Sequence, residues 1–264
     1  MRCVTIILQG LVAKRIIKNV GAICACWVAP ALFFKVKWCQ IAQERIMTLD
    51  QFTGFTRSDF DIFLIPEFHE RMSALRTQVR PKLAILGDAL APRLTELLGH
   101  AMFAHTASHA RRRVNPPDDT WVAFSRSERG YKRYAHFELG IALDYVFVRF
   151  VVKPEGEDDK PQLIDYLERE GSDVFALKDN SRIFWYRDDH GREPTPVNTI
   201  AHGFMERILQ QTRLKSRGFT TGVVFDRDQV IADGHGLLDK GYDAVVQLAP
   251  LYYGSVGAHA DLQR

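Results

Sequence analysis

Residues Tyr131–Val152 read YKRYAHFELGIALDYVFVRFVV, and the spacing of apolar side chains in this stretch decides the fold. From Tyr131 to Leu143 they fall on alternate positions. Phe137, Leu139, Ile141 and Leu143 point one way, and Lys132, Tyr134, His136 and Glu138 point the other. A period of two belongs to a strand with one face in a core and one polar face. Asp144 leaves room only for a tight connection, after which Tyr145–Val152 reads as a further strand. Upstream, Thr120–Ser125 is another strand, and Ser127-Glu128-Arg129-Gly130 supplies the loop of a hairpin. Three consecutive strands with short connections predict an antiparallel meander over about 120–152.

Helical patterns surround the meander. Ser58, followed by Asp59 and Asp61, reads as a capped helix start with acids in its first turn. Phe68, Met72, Leu75 and Val79 recur near 3.6 residues, and Pro81 is expected to end or kink that helix. Lys82–Leu98 carries leucines at 83, 86, 90, 94, 97 and 98, contains Pro92, and stops at Gly99. Met102–Arg112 reads as a short helix with His105 and His109 on one face. Asn115-Pro116-Pro117-Asp118 forces a turn. Beyond the meander, 153–160 is a charged loop, Pro161–Glu170 a short helix ending at Gly171, and Ile183–Arg187 a strand. Val197–Leu214 reads as a helix, Thr220–Asp226 as a strand, Gly234-His235-Gly236 as a turn, and Leu237–Leu251 as a final helix. The predicted fold class is α+β: a largely antiparallel or mixed sheet flanked by helices, in a single domain over 47–253 with a disordered tail over 254–264.

Composition separates the first 46 residues from the rest. The chain has 264 residues, 35 Lys+Arg and 32 Asp+Glu. Residues 1–46 hold seven of the bases and one of the acids, leaving 28 against 31, a net of −3, for the remainder. A slightly acidic body gives no bulk-charge case for nucleic-acid binding. All four cysteines precede Met47, so the body forms no internal disulfide, which suits a reducing, cytoplasmic compartment. Asn19–Phe34 is uncharged, but as a helix it spans roughly 24 Å, short of the ~30 Å hydrocarbon core, and Pro30 interrupts it. Three readings of this leader stand: a mis-assigned start with translation beginning at Met47, which is the favoured one, a membrane or signal segment, or an additional helix. No membrane span is expected over 47–264.

Several motifs are long enough to be specific: F-T-G-F at Phe52–Phe55, H-x-x-x-H-A-R-R at His105–Arg112, and V-N-P-P-x-D-T-W-V-A-F at Val114–Phe124. R-G-Y-K at Arg129–Lys132 and H-F at His136-Phe137 continue the series, and P-L-Y at Pro250–Tyr252 is a weaker match. In these features the chain resembles the YktB-like family of uncharacterised bacterial proteins, over roughly Met47–Tyr253. The resemblance implies a cytosolic α+β domain, a mixed sheet flanked by helices, and chains that start near Met47. It carries no activity and no catalytic residue.

The densest chemistry lies in His105–His136. Seven Lys+Arg (Arg111, Arg112, Arg113, Arg126, Arg129, Lys132, Arg133) face three acids (Asp118, Asp119, Glu128), a local +4. Arginine forks suit phosphate and carboxylate, so the leading functional reading is a pocket for a phosphorylated small molecule or nucleotide. Its candidate ligand-binding residues are His105, His109, Arg111, Arg112, Asn115, Trp121, Lys132, Tyr134 and His136. The blander reading is a solvated basic surface whose arginines pair with Asp118, Asp119 and Glu138. A hydrolase or transferase using His109 or His136 as general base is the second functional class, and an interaction module with a basic patch is the third. Trp121, Tyr131 and Tyr134 interleave the bases and keep single-stranded nucleic acid open as a partner, though it is not favoured. His105 and His109, with His136, have ligand-like spacing, but the sequence is H-T-A-S-H and lacks the glutamate of H-E-x-x-H, so no metal is assigned. G-x-S-x-G, P-loop and G-x-G-x-x-G motifs are all missing.

Overall fold

The structure, a computed structural model, describes residues 52–174, 183–186, 194–197 and 203–257. The chain divides into two units, Met1–Arg45 and Ile46–Arg264, and every described residue belongs to the second. The leader readings therefore fall outside the described residues, as do residues 198–202 of the predicted helix Val197–Leu214 and most of the predicted tail.

The strands are β1 (Phe103–Thr106), β2 (Asp119–Ser125), β3 (His136–Ala142), β4 (Tyr145–Val152), β5 (Ile183–Trp185), β6 (Thr195–Pro196) and β7 (Phe219–Asp226). They form one sheet in the order β1-β2-β3-β4-β7-β5-β6, and every pairing is antiparallel. The meander is present where the alternation placed it, with Asp144 inside the β3–β4 turn. The helices are α1 (Arg57–Asp61), α2 (Phe68–Ala74), α3 (Arg80–Leu98), α4 (Asp159–Val174), α5 (Phe204–Arg213), α6 (Arg227–Asp233) and α7 (Leu237–Val256).

Helices α3 and α7 lie on one face of the sheet. The leucines at 83, 86, 90, 94 and 98 are buried, as the helical spacing requires. Phe137 on β3 meets the ring of Tyr252 on α7 at 5.7 Å. A Cβ at Gly87 of α3 would stand 3.0 Å from both Ala104 and Val122, so this glycine lets the helix lie close against β1 and β2. Phe124, Phe137, Leu139, Ile141, Val148 and Phe150 complete this apolar layer. The exclusion of so much aromatic and aliphatic surface from water, at about 25 cal/mol per Å², supplies the main drive to fold.

Local chemistry moves several boundaries. Thr56, not Ser58, caps α1, since its backbone N–H and hydroxyl both donate to the Asp59 carboxylate. Pro81 does not end the helical run, which continues from Phe68 to Leu98; it falls in the first turn of α3, directly after a change in helical winding. The preceding Leu75–Val79 winds as a π-helical turn. The predicted Met102–Arg112 helix is a strand and a loop. Gly99, left-handed at φ 70°, ends α3, and the Met102 N–H donates to the Thr95 hydroxyl, which turns the chain back along the sheet edge. The β2–β3 connection is longer than the predicted four-residue loop, because β3 begins at His136 and not Tyr131. Asp159, at the start of α4, accepts both Arg126 guanidinium nitrogens and the Ala135 N–H and so pins that loop. Helix α4 runs through Gly171, and α7 runs through Gly254 to Val256, where left-handed Gly257 (φ 71°) caps it.

Candidate functional site

The second face of the sheet is polar, and strand register dictates its layout. His136 stands beside Ser125 and Val151, Glu138 beside Ala123 and Arg149, and Gly140 beside Trp121 and Phe147. On β7, Thr220 and Gly222 continue the rows of Val151 and Arg149. Two glycines make room for large neighbours. A Cβ at Gly140 would come within 2.2 Å of the Phe147 ring, and one at Gly222 within 2.9 Å of the Arg149 Cα.

Arg149 is the centre of this layer. It is 3% exposed, with its Nη2 3.0 Å from Glu138 Oε2 and 3.3 Å from Asp119 Oδ2. Its guanidinium lies 3.7 Å above the Phe147 ring and 5.2 Å from that of Tyr186. Glu138 is also reached by Lys153 Nζ at 4.0 Å and by His136 Nε2 at 3.3 Å. The other His136 nitrogen, Nδ1, meets the Tyr134 carbonyl oxygen at 2.7 Å. Tyr131 folds back from its loop, with its ring 4.9 Å from His136 and 6.0 Å from His105.

The charges are tightly coupled. Burial works to raise the Glu138 pKa, but Arg149, Lys153 and His136 outweigh it and hold the carboxyl well below the usual range. Burial raises the pKa of Asp119, whose side chain keeps 28% exposure at the rim, and nearby Glu138 adds to that rise while Arg149 opposes it. Burial pushes the Tyr131 phenol up to about 12, with Glu138 contributing, and raises that of Tyr186 as well. Four buried polar atoms here lack a hydrogen-bond partner among the described residues: Trp121 Nε1, Arg149 Nε and the hydroxyls of Tyr186 and Thr220. The Trp121 N–H faces the Tyr131 hydroxyl without reaching hydrogen-bond geometry.

His109 occupies the sheet edge. Its backbone is left-handed (φ 51°), the only such non-glycine among the described residues, a conformation that stores strain. Its ring sits edge-on to Trp121 at 5.3 Å, with Nε2 3.1 Å from the Thr120 hydroxyl. Burial, then Arg112 and Arg80, lower its pKa to about 4. A histidine kept neutral in the fold, but free to take a proton near 6.5 when unfolded, stabilises above pH 6.5, and that contribution is lost as pH falls toward 4. Between pH 7 and pH 5 the protein is therefore expected to lose ~1–2 kcal/mol through His109. Denaturant unfolding at the two pH values checks this. His109→Asn, which tolerates the left-handed backbone, should abolish that share of the loss, and an unchanged difference would exclude His109 as its source.

The structure brings together only some of the residues singled out from sequence. His136, Trp121 and His105 lie on the polar face. Arg112 is exposed, but close enough to His109 and Asp119 to act on both. Tyr134 instead stacks under Arg126, 4.7 Å away. Arg111, Asn115 and Lys132 are exposed. The β2 register puts the loop of Arg111–Asn115 at the Asp119 end and Lys132 at the Ser125 end, about 20 Å apart at ~3.3 Å per residue. Asp119 and Glu138 are engaged by Arg149, not by the arginine run. His105 and His109 do not share a helix face, and His105 Nε2 is held 2.8 Å from the Ser127 carbonyl. Among the described residues no three His, Cys, Asp or Glu side chains are grouped to hold a metal ion, and no helix is long and apolar enough to cross a membrane.

These features define an α+β protein with a helix-covered apolar face and a buried, ionised polar face on a single antiparallel sheet. Residues 55–252 match the family model described as a domain of unknown function, DUF1054, and the chain belongs to that family. A UPF0637 protein of Shouchella clausii is 48% identical over 219 residues, covering 78% of this chain and 97% of that protein. A Bacillus licheniformis UPF0637 protein is 37% identical over 185 residues, covering 67% and 83%. A Bacillus velezensis relative is 52% identical over 98 residues, 37% of this chain and 47% of its own length. The resemblance to uncharacterised YktB-like bacterial proteins is thus upheld.

Proposed function

We propose that the polar face of the sheet binds an anionic, phosphorylated small molecule or nucleotide. The observation that carries this reading is the set of donors around Arg149 that lack a partner among the described residues. Trp121 Nε1, Arg149 Nε and the Tyr186 hydroxyl are buried beside one another. Leaving such an atom unsatisfied costs about 1–3 kcal/mol, and an acceptor-rich ligand offsets that cost. Ionisable groups shifted by burial together with specific charge partners cluster at functional sites, as they do in structural ion-pair networks. Arg149 and Lys153 favour an anion, the rings of Trp121 and Tyr131 suit a nucleobase or sugar face, and Arg112 stands at the rim to attract charge. Of the predicted contacts this keeps His105, Trp121, His136 and Arg112, with His109 at the edge. It replaces Lys132, Arg111 and Asn115 by Arg149, Lys153 and Tyr186.

A thermal-shift panel tests the reading, using ATP, glucose 6-phosphate and inorganic phosphate against adenosine and glucose. A compound at a hundred times its Kd stabilises by about 2.7 kcal/mol, which is ~5–10 °C for a domain of this size. A shift confined to phosphorylated compounds is expected. Equal shifts from the uncharged partners, or none from any compound, would contradict it.

His109 favours a second reading, hydrolase or transferase: its strained backbone is of the kind that clusters at active sites, and its imidazole is unprotonated at neutral pH, although a pKa of about 4 makes it a weaker base than a free histidine. Under it, His109→Asn binds the phosphorylated compound but fails to turn it over; equal turnover would end it.

A further inference from the structure

The outer edge of β1, the terminal strand of the sheet, faces away from β2. The Ala107 N–H donates to the Trp121 carbonyl, which makes residues 107 and 121 a hydrogen-bonded pair in the β1–β2 register. Hydrogen-bonded and non-bonded pairs alternate along an antiparallel ladder. Phe103 and His105 therefore bond inward to β2, and the N–H and C=O groups of Ala104 and Thr106 point outward from the terminal strand of the sheet. Met102, next in the same series, points outward too, and its N–H is already taken by Thr95. Ala104 and Thr106 are only half-buried, and no backbone hydrogen bond reaches their outer side among the described residues.

A groove of about 460 Å³ runs along this edge, between β1 and α3. Ala91, Pro92, Phe103 and Ala104 give it apolar walls, and Asp88 and Glu128 line it with carboxylates. Both acids are exposed. Asp88 stands on the helix side of the edge. Glu128 follows Ser127, whose carbonyl meets His105 of β1. Pro92 has no N–H, so the Asp88 carbonyl lacks its usual helical donor and adds an acceptor to the groove.

We propose that the open edge of β1 receives an extended segment of a partner protein that carries lysine or arginine, added as an eighth strand. Outward amides supply the affinity of such strand addition, and side-chain pockets supply the choice of partner. Asp88 and Glu128 both line the groove, so a cationic side chain that the added strand points into it meets a carboxylate. A second copy of this chain fits less well, because antiparallel pairing of two β1 edges would bring the exposed arginines of the 107–118 loop near Arg129, Lys132 and Arg133 of the copy.

The probe is an eight-residue peptide of alternating valine and lysine, capped at both ends, with a valine–glutamate peptide as control. Titration of the full chain, followed by amide NMR, is expected to shift the Ala104 and Thr106 signals and slow their exchange. The lysine peptide should bind at least ~10-fold more tightly than the glutamate peptide. Asp88→Lys with Glu128→Lys, both at the surface, should reverse that preference. Thr106→Pro removes one outward N–H without touching a β2 bond and should weaken the lysine peptide ~5-fold or more. Equal binding of both peptides, shifts that bypass Ala104 and Thr106, or a self-associated dimer protecting those amides would each overturn the proposal.

Discussion

Replacing Arg149 by methionine is expected to destabilise the protein by ~3–5 kcal/mol, measured by urea unfolding at neutral pH. The guanidinium is the counterion of a carboxylate that has almost no access to water: Glu138 is 2% exposed. Removing one partner of a buried pair leaves the other charged and desolvated, which costs far more than the pair contributes net. Lys153 and His136 stay near Glu138 but do not replace the 3.0 Å contact. Stacking on Phe147 is lost as well, for about 1 kcal/mol. Glu138→Gln added to Arg149→Met should recover part of the loss, so the double variant is less damaged than the sum of the singles. A cost below ~1 kcal/mol for Arg149→Met would mean the layer is not a coupled network. The Glu138 carboxyl is held below its ordinary range, so its contribution is present above that range and disappears as pH falls through it. Asp119, raised, acts in the opposite sense. Glu138→Gln should therefore flatten acid destabilisation.

Gly54→Ala is the second large effect, expected at ~3–4 kcal/mol. Gly54 has φ +94°, where an L side chain is strained. The added Cβ would also lie 2.6 Å from the Gly234 Cα and 2.8 Å from its carbonyl carbon. Both obstacles are backbone, so the 52–55 turn and the α6–α7 junction have to separate. Backbone strain accounts for ~1–2 kcal/mol and overpacking for ~1–3. Gly99→Ala is the control. It shares a positive φ (70°), but nothing stands within 4 Å of its Cβ, and it should cost only about 1 kcal/mol. Equal losses in the two variants, by thermal or urea unfolding, would show that the Gly54–Gly234 contact contributes nothing.

The F-T-G-F motif shows how sequence can flag a position without its reason. The motif was visible, but the distant backbone that excludes every side chain at Gly54 was not. Long periodic segments were readable outright. The leucines of α3 and the alternation of β3 each repeat often enough to fix which face joins the apolar core. Short segments were not. His105 and His109, four apart, suit a helix as well as they suit a four-residue strand followed by a loop. The choice was made by Gly99 and by a hydrogen bond to Thr95 that no local pattern announces. The polar face was half visible. His136 and Glu138 stood out because they alternate with apolar residues. Arg149 was passed over, although it is the single charge in the otherwise apolar run Tyr145–Val152. A buried arginine needs carboxylates, and β3–β4 pairing sets Glu138 directly opposite it. The arginine run at 111–113 drew attention instead because charge density along a chain is easy to see, whereas convergence across strands depends on register.

The claim that the polar face is built for a ligand is tested most directly by calorimetric titration of ATP, or of whichever phosphorylated compound raises the melting temperature most, into the unaltered protein and Tyr186→Phe. The Tyr186 hydroxyl is buried and unpartnered among the described residues, so its removal should leave stability unchanged or slightly higher. Binding should weaken by ~10–100-fold, the loss of one hydrogen bond to a charged group. An unchanged Kd, or a variant that loses stability while binding normally, would contradict the account.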